Sequence, residues 1–150
     1  MAQNKVVNGT DFLLSMDGKV VAHAKSHSIN VSTAMRDTTS KNSAGWKETA
    51  KGRFSWTAKI DGLVSYETII CNYTTLMAAM LAGTEVVLTS IDNTGGTIVA
   101  GLVTPIIGAS IATGSAIITS IDLTSPDADN VTYSVSFEGS GPLVQSVKGA

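Results

Sequence analysis

Few residues of this 150-residue chain are of types that do chemistry, and their spacing offers them little to do. His23 and His27 stand four apart, a spacing that brings two imidazoles to one metal ion on a helix. On a strand the same spacing leaves them on one face but about 13 Å apart, and no acid or cysteine joins them. Cys71 is the single cysteine, so no disulfide framework exists, and no base stands near it in sequence to make a thiolate. The glycine-rich turn Asn93–Gly96 precedes a strand, whereas a phosphate cradle needs a helix N-terminus behind it. The acids are scattered, with no paired carboxylates. No catalytic, cofactor or metal site is therefore expected, and an enzyme is not.

Composition points the same way. Charged residues make up 15% of the chain, against roughly 25% in an average soluble domain, while hydrophobic residues make up 43%. So neutral a surface suits a protein covered by other subunits better than a free monomer. The bland reading is a small neutral secreted β domain. A net charge of −2 without basic runs argues against nucleic-acid binding through phosphates. The first residues lack the charged-then-apolar pattern of a signal peptide, so synthesis in a cytoplasm is expected, and the Asn-X-Ser/Thr sequons read as chance matches. No charged residue lies between Asn93 and Ile121. Pro105, Gly108, Gly114 and many Ser and Thr residues interrupt that run, however, and no basic or aromatic anchors flank it. Strands over Ile98–Val103 and Ser115–Leu123 explain it better than a membrane span.

The elements that must position any functional surface are strands. One domain over 1–150 is expected, mainly β, with sheets that are dry on one side and wet on the other and one short helix packed on them. A polar arm occupies 1–10 and a short flexible tail 140–150. Phe12–Met16, the Asp17-Gly18 turn and a strand over Lys19–Lys25 form a hairpin. Asn72 reads as an N-cap and Gly83 as the C′ residue of a helix over about 72–83, with Leu76, Ala79 and Met80 on its inner face. Thr84–Ser90 and Val131–Glu138 are further strands, the last with Val131, Tyr133, Val135 and Phe137 alternating against Thr132, Ser134, Ser136 and Glu138.

The stretch around which the rest is organised runs from Ile29 to Ile60. In its first strand Ile29, Val31, Thr33 and Met35 share a face. In the second, Arg53–Ile60, Phe54, Trp56, Ala58 and Ile60 form a dry face, and Arg53, Ser55, Thr57 and Lys59 a wet one. A long loop over 37–52 joins them, far beyond the ~2–5 residues of an ordinary hairpin, and carries Trp46 among charges.

These residues carry a family resemblance. Asn8-Gly9-Thr10-Asp11 opens the first hairpin. A strand then runs through Ser32-Thr33 into the loop from Asp37 to Lys41, followed by Gly45-Trp46-Lys47-Glu48 and by Gly52-Arg53-Phe54-Ser55-Trp56-Thr57. Ile117–Ile121 and the closing run from Tyr133 to Pro142-Leu143 complete the pattern. The chain resembles a major tail tube protein of long-tailed, non-contractile bacteriophages, most specifically in the central loop.

The resemblance implies a β-sandwich or barrel of two packed antiparallel sheets with one flanking helix, in a virion protein made in the host bacterial cytoplasm whose subunits form hexameric rings stacked into a hollow tube. DNA passes transiently through the bore to the host, with no membrane partner and no cofactor. Partners beyond the chain itself are the tail terminator, tape-measure and baseplate proteins. In this frame Ser40, Lys41, Asn42, Ser43, Gly45, Trp46, Lys47 and Glu48 form an inter-subunit, ring-stacking loop. Arg53, Ser55, Thr57, Lys59, Thr132, Ser134 and Ser136 line the bore. The alternative is a monomeric β-sandwich module that binds a sugar or a protein through the Trp46 loop.

Overall fold

A computed structural model describes residue 9 and residues 12–21, 24–66 and 71–149. The first hairpin joins β1 (Phe12–Met16) to a two-residue β2 (Lys19–Val20). Its turn is as expected, with both Asp17 and Gly18 at positive φ (51° and 85°), the twist that a two-residue hairpin turn requires. β2 is shorter than the expected Lys19–Lys25 strand, because Ala24 already begins the long β3 (Ala24–Asp37).

β3 pairs with β4 (Thr49–Leu63) as far as Asp37↔Thr49, with register shifts between Ala24 and Ser26 and between Thr33 and Met35. The expected loop over 37–52 is thus only Thr38–Glu48, because backbone pairing carries both strands several residues past the end of their clean alternation. A bulge near Ala34 absorbs one extra residue of β4. Gly52 sits in it because a Cβ there would meet the Ala34 carbonyl oxygen at 2.5 Å.

The helix α1 (Tyr73–Ala82) has Asn72 as N-cap and Gly83 in the left-handed conformation as its terminator. β5 (Val86–Asp92) follows. The strand expected over Ile98–Val103 is instead a small hairpin, β6 (Thr97–Val99) and β7 (Leu102–Thr104), broken by positive-φ Ala100 and Gly101. β8 (Ser110–Thr124) and β9 (Thr132–Gly139) come next. The tail does not hang free. β10 (Val144–Val147) pairs with Ser110–Thr113 of β8, beyond a turn at Gly141 with φ 98°.

Among the described residues, ten strands thus make an eight-stranded antiparallel sheet and the separate β6–β7 hairpin, with no closed barrel. The large sheet runs β2-β1-β5-β8-β9-β4-β3, with β10 also on β8. β8 joins its two halves. Residues Ile111–Ala116 pair with β5 and Ala116–Thr124 with β9, and a register shift lies between Ile118 and Ser120. Leu14, Met16 and Leu88 from one half share a core with Trp56, Ile60, Val135 and Phe137 from the other. The sheet therefore folds over along β8, giving the two layers of a sandwich from one continuous ladder. Leu76 of α1 is fully buried against the same core, with Ala79 and Met80 beside it.

Candidate functional site

The four long strands β8, β9, β4 and β3 lie side by side, and their alternation gives one layer two unlike faces. Trp56, Ala58 and Ile60 of β4 and Tyr133, Val135 and Phe137 of β9 are buried. Between them point Ser55, Thr57 and Lys59, and Thr132, Ser134 and Ser136. Cross-strand pairing joins these into rows: Ser28↔Lys59↔Ser136↔Ser120, and Ser26↔Asp61↔Ser134↔Asp122. Asn30, Thr57 and Glu138 form a third row. All six Ser, Thr and Lys positions read from these two strands thus share one face, together with Ser26, Ser28 and Asn30, which hydropathy alone did not single out. Arg53 stands at its end, beside the bulge.

That face is hydroxyl-rich and mildly acidic. Lys59 lies 4.0 Å from Asp61, with Glu138 and Asp122 on the same side of the sheet. Ser32 and Ser55 are hydrogen-bonded across the hairpin at 2.9 Å. Such a surface binds water well and a polyanion poorly, since each phosphate contact needs a cation and the acids repel.

Beyond Trp56 the hairpin leaves the core. Phe54, expected on the dry face, is 63% exposed, and Val31 and Met35 on the same side are also exposed. The alternation is as read, but among the described residues of the lone subunit nothing buries that part of the strand. Lys51 caps the Phe54 ring from 4.1 Å.

At the tip, the Thr38–Glu48 loop is held by its own hydrogen bonds. Thr38 N–H donates to the Glu48 carbonyl, and the Thr39 hydroxyl both accepts from Glu48 N–H at 2.9 Å and donates to the Glu48 carbonyl. Ser43 is buried inside the loop, where its Oγ accepts from Ser40 N–H and its carbonyl from Trp46 N–H. Ala44 and Gly45 make the turn at positive φ. The Asp37 carboxylate accepts from Thr39, which holds its pKa below the ordinary value. Trp46 projects from this frame 79% exposed, with Lys41, Lys47 and Glu48 around it. Hydrogen bonds within the loop thus hold its backbone while the indole stays uncovered in the lone subunit.

Of the residues whose types could do chemistry, His27 and Cys71 lie in packed surroundings. The His27 ring stacks on Phe12 at 5.9 Å, and burial pulls its pKa below the ordinary value. His23 lies outside the described residues. Cys71 is buried, its thiol pushed up to about 12 by loss of water. Among the described residues no group of three metal-ligating side chains gathers, and no helix is long and apolar enough to cross a membrane.

A family model described as phage tail tube protein matches residues 6–145. The chain belongs to the phage tail tube protein family. This identifies it as a structural protein of virion tails and does not favour a monomeric binding module. No curated protein sequence matches it. Solved structures share the fold. A chain from the C6-symmetric tail of an empty gene transfer agent particle superposes with TM-score 0.73 at 20% identity, over 94% of this chain and 99% of that one. The SPP1 tail tube gives 0.73 at 10% identity, over 97% and 81%. The PVC sheath–tube complex, an extracellular contractile injection system, gives 0.70 at 15%, over 97% and 95%. Contractile systems are thus among the neighbours, and the fold does not single out the non-contractile kind of tail expected from sequence.

Proposed function

We propose that the subunit assembles into hexameric rings that stack into a hollow tube, and that DNA passes through it with the polar face of β3, β4, β8 and β9 as the bore wall. The observation that carries this reading is the pairing of that face with two open edges. Among the described residues, β3 has a strand neighbour on one side only, and so does β8 from Ile117 to Thr124. Free edges of this length are a liability in a monomer. The layer between them has four strands, an even number in strict antiparallel alternation, so β3 of one subunit meets β8 of the next antiparallel as well. Repetition around a rotation axis closes the ladder and removes both edges. The C6 tail of the related gene transfer agent supports six copies.

In this arrangement Arg53, Ser55, Thr57, Lys59, Thr132, Ser134 and Ser136 face the bore, where hydroxyls keep water at the wall and the acids keep DNA from adhering. The loop from Ser40 to Glu48 stands at one axial end and forms the joint between rings. The tube has no enzymatic role. It is made in the host cytoplasm and meets terminator, tape-measure and baseplate proteins in the virion.

Negative-stain microscopy of the purified protein is the test, with tubes or rings around a stain-filled bore as the expected result. A heavy-atom cluster attached to a Ser134→Cys variant should then appear on the tube axis. Label on the outer wall would overturn the bore assignment.

A further inference from the structure

The axial joint needs a second half, and the opposite end of β4 supplies it. β4 runs fifteen residues from Thr49, at the Trp46 end, to Leu63, a span of about 50 Å. At the far end a cleft of about 370 Å³ opens, lined by Leu63, Val64, Tyr66, Tyr73, Leu123 and Val131. Tyr66 is 76% exposed and Leu123 50%, so the apolar lining is open to an incoming group. The volume falls within the range of about 300–1,000 Å³ typical of pre-formed binding sites, ample for one indole.

We propose that Trp46 of one subunit inserts into this Leu63–Tyr66–Leu123 cleft on a subunit of the adjacent ring. The proposal rests on the ring-stacking reading and names the receiving surface for it. Two observations select a second copy as the occupant. Knob and cleft sit at opposite ends of the same strand, the placement that lets every copy give and receive in one direction. A head-to-tail contact of this kind does not close, so it propagates as a filament.

The second observation is charge. The loop that presents Trp46 carries Lys41 and Lys47 against the single acid Glu48. The exposed turn beside the cleft, Ser125–Asn130, carries Asp127 and Asp129. Basic tip and acidic rim steer the two ends together and disfavour tip-to-tip or rim-to-rim encounters. The indole, packed beside Tyr66 and Tyr73, supplies the buried anchor.

Two variants separate the halves. Trp46→Ala keeps the cleft and loses the knob. Leu123→Arg keeps the knob, fills the cleft, and repels Lys41 and Lys47; Tyr66→Ala, at a more exposed position, is the milder cleft variant. Isotope-labelled Trp46→Ala protein is titrated with unlabelled Leu123→Arg protein and followed by NMR, alongside microscopy of each variant and the wild type. The expected result is shifts confined to Leu63–Tyr66, Leu123 and Val131 in the mixture, at least tenfold weaker when Leu123→Arg is the labelled partner of itself. By microscopy, each variant alone gives no stacks longer than one ring. Shifts on the β6–β7 hairpin instead, or tubes of normal length from both cleft variants, overturn the cleft as receiver while leaving ring stacking intact. A wild-type chain that forms neither rings nor tubes, with no shifts in the mixture, overturns the stacking reading as well.

Discussion

The Trp56 indole packs directly against the backbone of Gly139. A Cβ built on Gly139 would clash with the ring atoms Cε2, Nε1 and Cδ1, and one on Gly114 would come within 2.6 Å of Cζ2. The indole N–H donates to the Gly141 carbonyl at 3.1 Å. One tryptophan thus ties β4 to the end of β9, to β8 and to the turn that leads into β10. Glycine at 139 and 114 follows from this close approach. Gly139→Ala should cost about 1–3 kcal/mol through overpacking. Urea unfolding checks it, and an unchanged midpoint would show that the ring has room to move.

The helix should depend on its cap. Asn72 Oδ1 accepts from both the amide and the hydroxyl of Thr75, at 3.0 and 3.1 Å. No acidic residue stands in the first turn to help. Asn72→Ala should therefore lose about 1 kcal/mol, read as a lower thermal midpoint, with Asn72→Asp restoring most of it.

Trp46→Ala should leave the fold intact, because an indole this exposed contributes little to the subunit. A stability change within about 0.5 kcal/mol is expected. The same substitution should abolish stacking of rings. Normal tubes from this variant would remove the loop from the axial joint.

Stability should decline at alkaline pH. Burial holds the Cys71 thiol protonated to about 12 in the folded chain, from an ordinary value of 9.0, and burial also raises the Tyr133 phenol. Above pH 9 the unfolded chain releases the thiol proton while the folded chain keeps it, so the unfolded state gains. The contribution is complete below pH 9 and is lost as pH rises from there to about 12. Urea midpoints across that window should fall, with a shallower slope in Cys71→Ala.

The polar face should tolerate charge in folding and not in passage. Ser134→Arg with Ser136→Arg adds two cations per subunit to a wall that holds Lys59 among acids. Tubes should still form, and short duplex DNA should co-sediment with them in a salt-dependent way, unlike with wild-type tubes. Equal DNA retention by both would argue that these positions do not face the bore.

Much of this was legible in the chain. The period-two alternation of Arg53–Ile60 and Val131–Glu138 assigns the two faces correctly and names Trp56, Ala58, Ile60, Tyr133, Val135 and Phe137 as buried, because strand geometry alone sends neighbours to opposite faces. Asp17-Gly18 and the Asn72 and Gly83 caps are local signals, set by backbone preferences within a few residues. Phe54 shows the limit. Its face is determined by alternation, but whether anything covers that face depends on how far the core extends, and the core stops at Trp56. The expected flexible tail failed for a similar reason, since Val144–Val147 has no strong pattern of its own and is held by an open stretch of β8.

By itself, then, the sequence determined which side each strand residue takes, where the turns and helix end, and that no catalytic group has a partner nearby in sequence. Those properties depend on neighbours along the chain. Only the tertiary structure decided that Lys59, Asp61, Ser134, Ser136 and Asp122 share one face. It alone decided that β3 and the second half of β8 are left as open edges, and that Trp46 and the Leu123 cleft stand at opposite ends of one strand. These are relations between segments tens of residues apart, set by ladder pairing and by the fold along β8, and no local pattern encodes them.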